Sequence, residues 1–274
     1  MRKAREDDRL KAANISFATP VVLTVIDKSE NGFVVDWVAG ETSFEGSPQS
    51  PSPADIASAN ALREIHLEIE LNSLGQLRSL RNHLDVLARV TRRREEFSQP
   101  EAAPAAGGKR KAPAVQAAKM LAPETLIVNH MNAAGLFFVL SGLSLDSEKP
   151  IQGKMVTGHP INVGRISSDT NLAIQKIDSE KKEALIHLRQ EFDPNGFAGL
   201  TRQILAQSGV AVTAGQSMPD VNLTDVADYA LDLAHGWVRR LKHERTIAVG
   251  TVLRRLDRIE IEVKNFKAGP QPAP

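Results

Sequence analysis

Seven histidines are the side chains of this sequence best suited to acid–base or metal chemistry near neutral pH. None belongs to a His-Glu-x-x-His motif, and no two have the i, i+4 spacing of a helical zinc site. His66, His187 and His243 fall on segments that we predict as strands, where a partly buried structural imidazole is the ordinary expectation. The chain also has no Cys, the residue of thiolate zinc sites. We therefore predict no metal site.

The serines, glycines and lysines form none of the motifs that mark a catalytic or cofactor site. There is no Gly-x-Ser-x-Gly elbow and no dinucleotide-binding glycine pattern, and Gly107–Lys111 lacks the spacing of a phosphate-binding loop. We predict no catalytic residue and no cofactor. One enzymatic alternative is a hydrolase that uses loop residues around His159, which lies beside Pro160, and Asp193.

The charge balance argues against recruitment of nucleic acid. The 274 residues carry 34 Lys plus Arg and 33 Asp plus Glu, a formal net charge of +1. Basic clusters occur at Arg92–Arg94, Lys109–Lys111, Arg239–Arg240 and Arg254–Arg255, but the aromatic residues that stack on bases are only 4% of the chain. We predict no nucleic-acid partner and keep, as a second alternative, a cytoplasmic interaction protein that uses these basic segments.

Trp37 and Trp237 are the only tryptophans, and each lies on a predicted strand after a Gly-containing turn. Large rings of this kind either wall an apolar ligand cavity or fill the core of a sheet, and the second use is the commoner. We name both residues as candidate ligand-binding residues and leave the two interpretations open.

The elements that must position these residues are mainly antiparallel strands. Leu67, Ile69 and Leu71 alternate with polar residues, the pattern of a strand with one wet face. Asn31-Gly32 is a strong hairpin signal because both residues tolerate positive φ. Further strands are predicted at 21–26, 33–38, 172–177, 184–192, 226–231, 237–249 and 252–263.

Three or four short helices are predicted between the strands, from N-cap side chains and from Pro at first helical positions. Their predicted starts are Ser52-Pro53, Asn82, Pro123 and Asp193-Pro194. A low-complexity connector rich in Ala, Pro and Gly divides the chain. The predicted organisation is a first β-rich half at 1–97, a flexible linker at 98–121, a second β-rich half at 122–267 and a disordered tail at 268–274.

The two halves repeat one order of elements. Ile26-Asp27 aligns with Ile177-Asp178 at an offset of 151 residues, and Leu71 aligns with Leu231 at an offset of 160 residues. In each half a hairpin precedes a loop with a helix, a strand, a Gly turn and another strand. The predicted fold is α+β, mainly antiparallel β, with two related curved sheets that arise from an internal duplication. Because each sheet has one apolar face, we expect the two sheets to bury these faces jointly.

Four segments carry a resemblance to a known class of proteins. They are Thr19–Ile26, Gly32–Thr42, Leu67–Gly75 and Leu231–Trp237. In their strands, Gly turns and Trp they resemble uncharacterised bacterial secreted or envelope β-rich proteins and, more loosely, the curved half-barrel sheets of lipoprotein-carrier-type proteins. The resemblance implies a non-enzymatic envelope-type module that is structural or binds an apolar or peptide ligand between its curved sheets. Its expected partner is an apolar small molecule or another envelope protein.

The N-terminal residues leave the compartment open. Met1–Leu10 has basic residues but neither the apolar segment nor the cleavage site of a secretory signal. We expect an extracytoplasmic protein, periplasmic or secreted, if Met1 is an internal start, and a cytoplasmic protein otherwise. No apolar run approaches the ~18 residues that span a bilayer, so no transmembrane segment is predicted.

Overall fold

The structure is a computed structural model that describes residues 1–7, 15–44, 50–98, 123–158, 165–196, 221–250 and 253–264. The chain divides into two compact units. Unit 1 comprises Met1–Glu6 and Leu10–Leu143, and unit 2 comprises Asp7–Arg9 and Ser144–Pro274. The described residues form mostly antiparallel strands with a few helices, which confirms the predicted α+β, mainly β, class. The predicted tail and nearly all of the predicted linker lie outside the described residues.

Thirteen strands occur within the described residues. They are β1 Arg2–Asp7, β2 Ile15–Ala18, β3 Val21–Ser29, β4 Gly32–Ala39, β5 Ser43–Phe44, β6 His66–Asn72, β7 Leu77–Leu80, β8 Ile151–Gly158, β9 Arg165–Asp178, β10 Glu183–Phe192, β11 Val221–Asp232, β12 Val238–Val249 and β13 Leu253–Glu262. The sequence did not predict β1, β2, β5 and β8, nor the N-terminal parts of β9 and β11.

Three helices lie within the described residues, and a further helical turn at 194–196 borders a segment that is not described. They are α1 Pro53–Ala59, α2 His83–Ser98 and α3 Pro123–Phe138. The start of α1 follows from a capping box, because the Ser52 hydroxyl accepts a hydrogen bond from Asp55 N (3.2 Å) and the Asp55 carboxylate accepts one from Ser52 N (3.0 Å). The helix ends at Ala59.

Unit 1 holds a four-stranded antiparallel sheet in the order β3-β4-β6-β7. Its buried face is apolar, with Val35 and Trp37 on β4 beside Leu67 and Ile69 on β6. Helices of the same unit cover this face: Val86 and Val90 of α2 are fully buried, and the Phe137 ring of α3 packs edge-on against Trp37. Unit 1 therefore buries this apolar face with its own helices, whereas the sequence led us to expect a second sheet there. The border between the units follows α3, which the sequence placed in the second half.

Unit 2 holds six antiparallel strands in the order β8-β9-β10-β11-β12-β13. Side chains alternate strictly along β10, so that Ala184, Ile186 and Leu188 are buried while their neighbours are partly exposed. The same alternation on β11 buries Leu223 and Tyr229. Unlike the sheet of unit 1, the buried face of this sheet also contains charged and polar side chains.

One strand plan occurs in both units, as the pairing registers show. Phe33 pairs with Leu71 in unit 1 and Ala184 pairs with Leu231 in unit 2, which gives offsets of 151 (33 to 184) and 160 (71 to 231), as predicted for these strands. The bulge between β3 and β4 falls beside Val34/Val35, and the bulge between β9 and β10 falls beside the equivalent pair 185/186. Strands β3, β4, β6 and β7 thus correspond to β9, β10, β11 and β12.

The repeat differs from the sequence alignment in its first strand. The turn between β3 and β4 has two residues (30–31) and that between β9 and β10 has four (179–182), so the offset of the first strand is 149 and not 151. With this offset β2 corresponds to the N-terminal part of β9, since Ala18 and Ser167 become equivalent. β1 pairs with β2 as β8 pairs with β9. The repeated plan therefore extends to an additional N-terminal strand.

Candidate functional site

Trp37 is a core residue of unit 1. It is 2% exposed, and its ring lies 6.3 Å from the Phe137 ring at an angle of 72°. Trp237 is half-buried and lies in the turn before β12, where its carbonyl oxygen accepts a hydrogen bond from Asp232 N (2.8 Å). The two tryptophans belong to different units, and in the repeated plan Trp237 is equivalent to Gln76 and not to Trp37. Their role in ligand binding stays a prediction.

The residues of the hydrolase alternative do not form a described site. His159 lies outside the described residues. The Asp193 carboxylate accepts a hydrogen bond from Asn195 N (3.0 Å) at the start of the helical turn 194–196, which is the position of a helix cap. Nothing in the described geometry favours this alternative over binding.

Several of the basic clusters are engaged with the protein itself. Arg93 donates to the carbonyl oxygens of Asn60, Ala61 and Arg63, which ties α2 to the segment before β6. Arg239 donates twice to the Asp232 carboxylate, at 2.9 and 2.6 Å. Such pairing reduces the positive charge that these clusters could offer to phosphates.

The three strand histidines occupy two different environments. His66 and His187 form pairs at 2.7 Å with Asp36 and Asp228 on partly exposed sheet faces, where such pairs contribute little stability. His243 lies on the buried face of unit 2 and is 4% exposed. This difference separates two surface histidines from one that is buried among other polar groups.

Four polar residues form a line across the buried face of unit 2, and we call them the polar row. Thr170 on β9 faces Gln190 on β10, Gln190 faces Asp225 on β11, and Asp225 faces Arg245 on β12. Thr170, Gln190 and Asp225 are 9%, 8% and 4% exposed. Gln190 Nε2 lies 3.3 Å from Thr170 Oγ1 and donates to it. The row therefore crosses four neighbouring strands within the interior of the sheet.

A fork-to-fork ion pair forms the charged end of the polar row. Arg245 donates from Nε to Asp225 Oδ1 (2.7 Å) and from Nη2 to Asp225 Oδ2 (2.6 Å). Burial raises the pKa of the Asp225 carboxyl, but the hydrogen bonds and charge of Arg245, together with the nearby His243 ring, outweigh this and lower the pKa to about 2. Asp225 is consequently charged throughout the physiological pH range.

Two further buried groups beside the polar row have no hydrogen-bond partner. Both ring nitrogens of His243 and the hydroxyl of Tyr229, which is 1% exposed, are unsatisfied. His243 Nε2 lies 3.5 Å from Asp225 Oδ2, too far for a good hydrogen bond. Burial, and then the negative charge of Asp225, raise the pKa of the Tyr229 hydroxyl, so it remains a neutral donor. An unsatisfied buried polar group costs about 1–3 kcal/mol.

The repeated plan provides an internal comparison for these residues. The unit 1 residues equivalent to Thr170, Gln190, Asp225 and Tyr229 are Val21, Ala39, Ile65 and Ile69, from offsets of 149, 151, 160 and 160. Ala39, Ile65 and Ile69 are 3%, 2% and 0% exposed, so the same positions are buried in unit 1 and are apolar there. The strand plan does not itself require polar side chains at these positions. Since a buried ion pair rarely stabilises a fold more than apolar packing would, the polar row is the best candidate for a functional site.

The chemistry available at the polar row is hydrogen bonding. Ser168 Oγ lies 3.5 Å from Thr170 Oγ1, and no described contact joins either hydroxyl to a histidine, so the geometry of an activated nucleophile is not formed there. Within the described ranges no group of three or more His, Asp or Glu side chains is placed to hold a metal ion. Tyr229, His243 and Gln190 together offer both donors and acceptors.

Sequence reasoning missed the polar row, although a signal was present. Asp225 stands in the same alternating phase as Leu223, Ala227 and Tyr229, so it had to share their buried face. The turn between β11 and β12 then sets the register that brings Arg245 opposite. A charged residue in the buried phase of two paired strands is the pattern that identifies such a row.

No helix of the described part of the chain is long and apolar enough to cross a membrane. Comparisons with protein families, with characterised proteins and with solved structures found no match to this chain.

Proposed function

We propose that the protein is a non-enzymatic, envelope-type β module that binds an apolar molecule with a polar head group against the polar row of unit 2. The observation that carries the proposal is the pair of buried, unpartnered groups, Tyr229 and His243, beside a row that the equivalent strands of unit 1 replace with apolar residues. Sites that break the packing rules of their own fold are commonly functional.

The chemistry of the surroundings supports this ligand class. On one side of the polar row lie Leu172 and Leu188, and on the other side Phe192 and Leu223 pack with Ile247. These side chains suit an apolar body. A head group with one donor and one acceptor, such as an amide or a carboxylic acid, would provide partners for the Tyr229 hydroxyl and the His243 imidazole at once. Pairing these groups would recover the cost that burial imposes on them.

The extracytoplasmic location belongs to the same proposal and is supported only by the resemblance of the strand and turn segments. An exported module would reach apolar ligands of the envelope. A peptide ligand at the polar row is the second form of the proposal, because a peptide amide also supplies a donor and an acceptor.

Native mass spectrometry tests the proposal. The protein would be purified without denaturation, and the bound fraction extracted and identified. We expect a co-purifying molecule with wild type, at least tenfold less of it with Tyr229→Phe plus His243→Phe, and an unchanged amount with the surface control His66→Gln. Circular dichroism would establish that each variant is folded. A high-resolution structure in which ordered water or tight packing satisfies Tyr229 and His243, with no mass adduct, would refute the ligand.

A further inference from the structure

The outer edge of β3 is a strand edge with exposed apolar side chains in the described part of the chain. β3 is the first strand of the four-stranded sheet of unit 1 and pairs only with β4 there. Val22, Val25 and Ile26 on β3 are 64%, 47% and 47% exposed. The segment Val21–Ile26 carries no charged side chain. Exposed edge strands of this kind bind other strands through their main chain.

The backbone of β3 is oriented for such pairing. Thr19, just before β3, donates from its N–H to Met1 O (2.7 Å) and accepts from the Met1 amino group at its carbonyl oxygen (2.9 Å). Pro20 O, by contrast, accepts from Gly40 N on the opposite side (2.8 Å). Because N–H and C=O directions alternate along a strand, Val21 and Leu23 present theirs on the same side as Thr19. That side is the outer edge of β3.

Unit 2 shows what occupies the equivalent edge. With the offset of 149, Val21 and Leu23 correspond to Thr170 and Leu172 of β9. Those two residues pair with Gly153 and Ile151 of β8. In unit 1 the corresponding strand, β1, begins at Arg2, which pairs with Ala18. The described residues therefore include no strand that covers Val21–Leu23.

We propose that the outer edge of β3 binds an extended, predominantly uncharged peptide segment of another protein as an added antiparallel strand, in the way that β8 pairs with β9. The template within unit 2 defines the direction and register, and the uncharged run Val21–Ile26 favours apolar side chains on the segment. This surface belongs to unit 1, and the proposal does not depend on a ligand at the polar row.

A synthetic peptide with the sequence of residues 149–158, which contains β8, is the probe. Its labelled form would be titrated with the whole protein and followed by fluorescence anisotropy, and hydrogen exchange would locate the protected amides. We expect saturable binding and slower exchange at Val21, Leu23 and Val25. A peptide with Pro at the positions of Ile151 and Gly153, which lie opposite Leu23 and Val21 in the template register, lacks two main-chain donors and should bind at least tenfold more weakly.

A pair of matched variants distinguishes strand pairing at the edge of β3 from non-specific apolar contact with the peptide. Val22→Glu places a charge beside the added strand and should weaken binding at least tenfold, whereas Leu84→Glu changes a side chain that is 79% exposed on α2 and should leave binding unchanged. Equal weakening by both variants, absence of binding, or protection confined to β9 would overturn the proposal. The proposal would also be overturned if the protein forms a dimer that Val22→Glu abolishes and on which the peptide has no effect. A second copy of the chain would then be the occupant of the edge.

Discussion

Removal of one or both partners of the Asp225–Arg245 pair tests the energetic reasoning about the polar row. Arg245→Leu leaves a carboxylate that is 4% exposed without its two hydrogen bonds, and we expect a loss of about 3–5 kcal/mol in the free energy of unfolding. Asp225→Ile introduces the residue of the equivalent unit 1 position. The double variant should lie within about 1 kcal/mol of wild type, because neither charge is then left alone.

The pH dependence gives a second estimate of the same interaction. The pKa of Asp225 falls from its ordinary 3.8 to about 2 on folding, which corresponds to about 2 kcal/mol of stability in the charged form. Because the folded value is the lower one, this contribution is fully present above about pH 4 and is lost as the pH falls toward 2. The double variant should lack this part of the acid destabilisation.

Urea unfolding followed by ¹⁹F NMR after 5-fluorotryptophan labelling would measure these values. Trp37 reports on unit 1 and Trp237 on unit 2, so the unfolding of unit 2 is observed separately. A coupling energy of at least about 2 kcal/mol between the two substitutions is expected. If the costs of the single substitutions simply add, or if Arg245→Leu costs less than about 1 kcal/mol, the pair is not energetically coupled and the argument is refuted.

Three pairs of substitutions test the turns and the core. Asp232→Ala should lower the midpoint of urea unfolding at pH 7 more than Asp232→Asn, which keeps an acceptor for Arg239. Hydrogen bonding from Arg239 lowers the pKa of Asp232, so the stabilising contribution of Asp232 should weaken as the pH falls below about 4, and equal midpoint shifts at pH 7 and pH 3 would contradict this. Gly32→Ala should lower the free energy of unfolding by at least about 3 kcal/mol, since the new Cβ would clash with a carbonyl oxygen of β6. Gly236→Ala, which has open space around it, should lower it by about 1 kcal/mol. Similar shifts of the melting temperature for both variants would contradict the close approach of Gly32 to β6. Trp37→Ala should lower the free energy of unfolding, measured by calorimetry, by about 3–5 kcal/mol, and Trp237→Ala should lower it by less than about 2 kcal/mol. The reverse order would exclude Trp37 as the core residue of its sheet.

Local sequence signals predicted most of the strands. Asn31-Gly32 predicted the first hairpin, although the two turn residues are Glu30 and Asn31 and, of the predicted pair, only Gly32 has a positive φ. The alternation around Leu67–Leu71 likewise gave β6, and the Ser52 cap gave the start of α1. Each of these features depends on neighbours in sequence, which is why it can be read without coordinates.

Features that depend on pairing between distant strands could not be predicted in the same way. β8 has a mixed, glycine-containing sequence and is held by its register on β9. The polar row requires four strands in register, from Thr170 to Arg245, and no single segment reveals it. The extra two residues in the turn after Asp178 shifted the alignment of the first strands, because a turn can lengthen without any change in the ladder.

The similarity of the two strand plans also creates a risk during folding, since equivalent strands of one chain could exchange places and trap a misfolded species. The polar row raises the free energy of one such misfolded arrangement. If β6 docked on β10 in place of β11, Ile65 would occupy the place of Asp225, and Gln190 would face an apolar side chain. Arg245 would lose both of its hydrogen bonds. Correct assembly is thereby favoured over its closest competitor by a penalty of several kcal/mol.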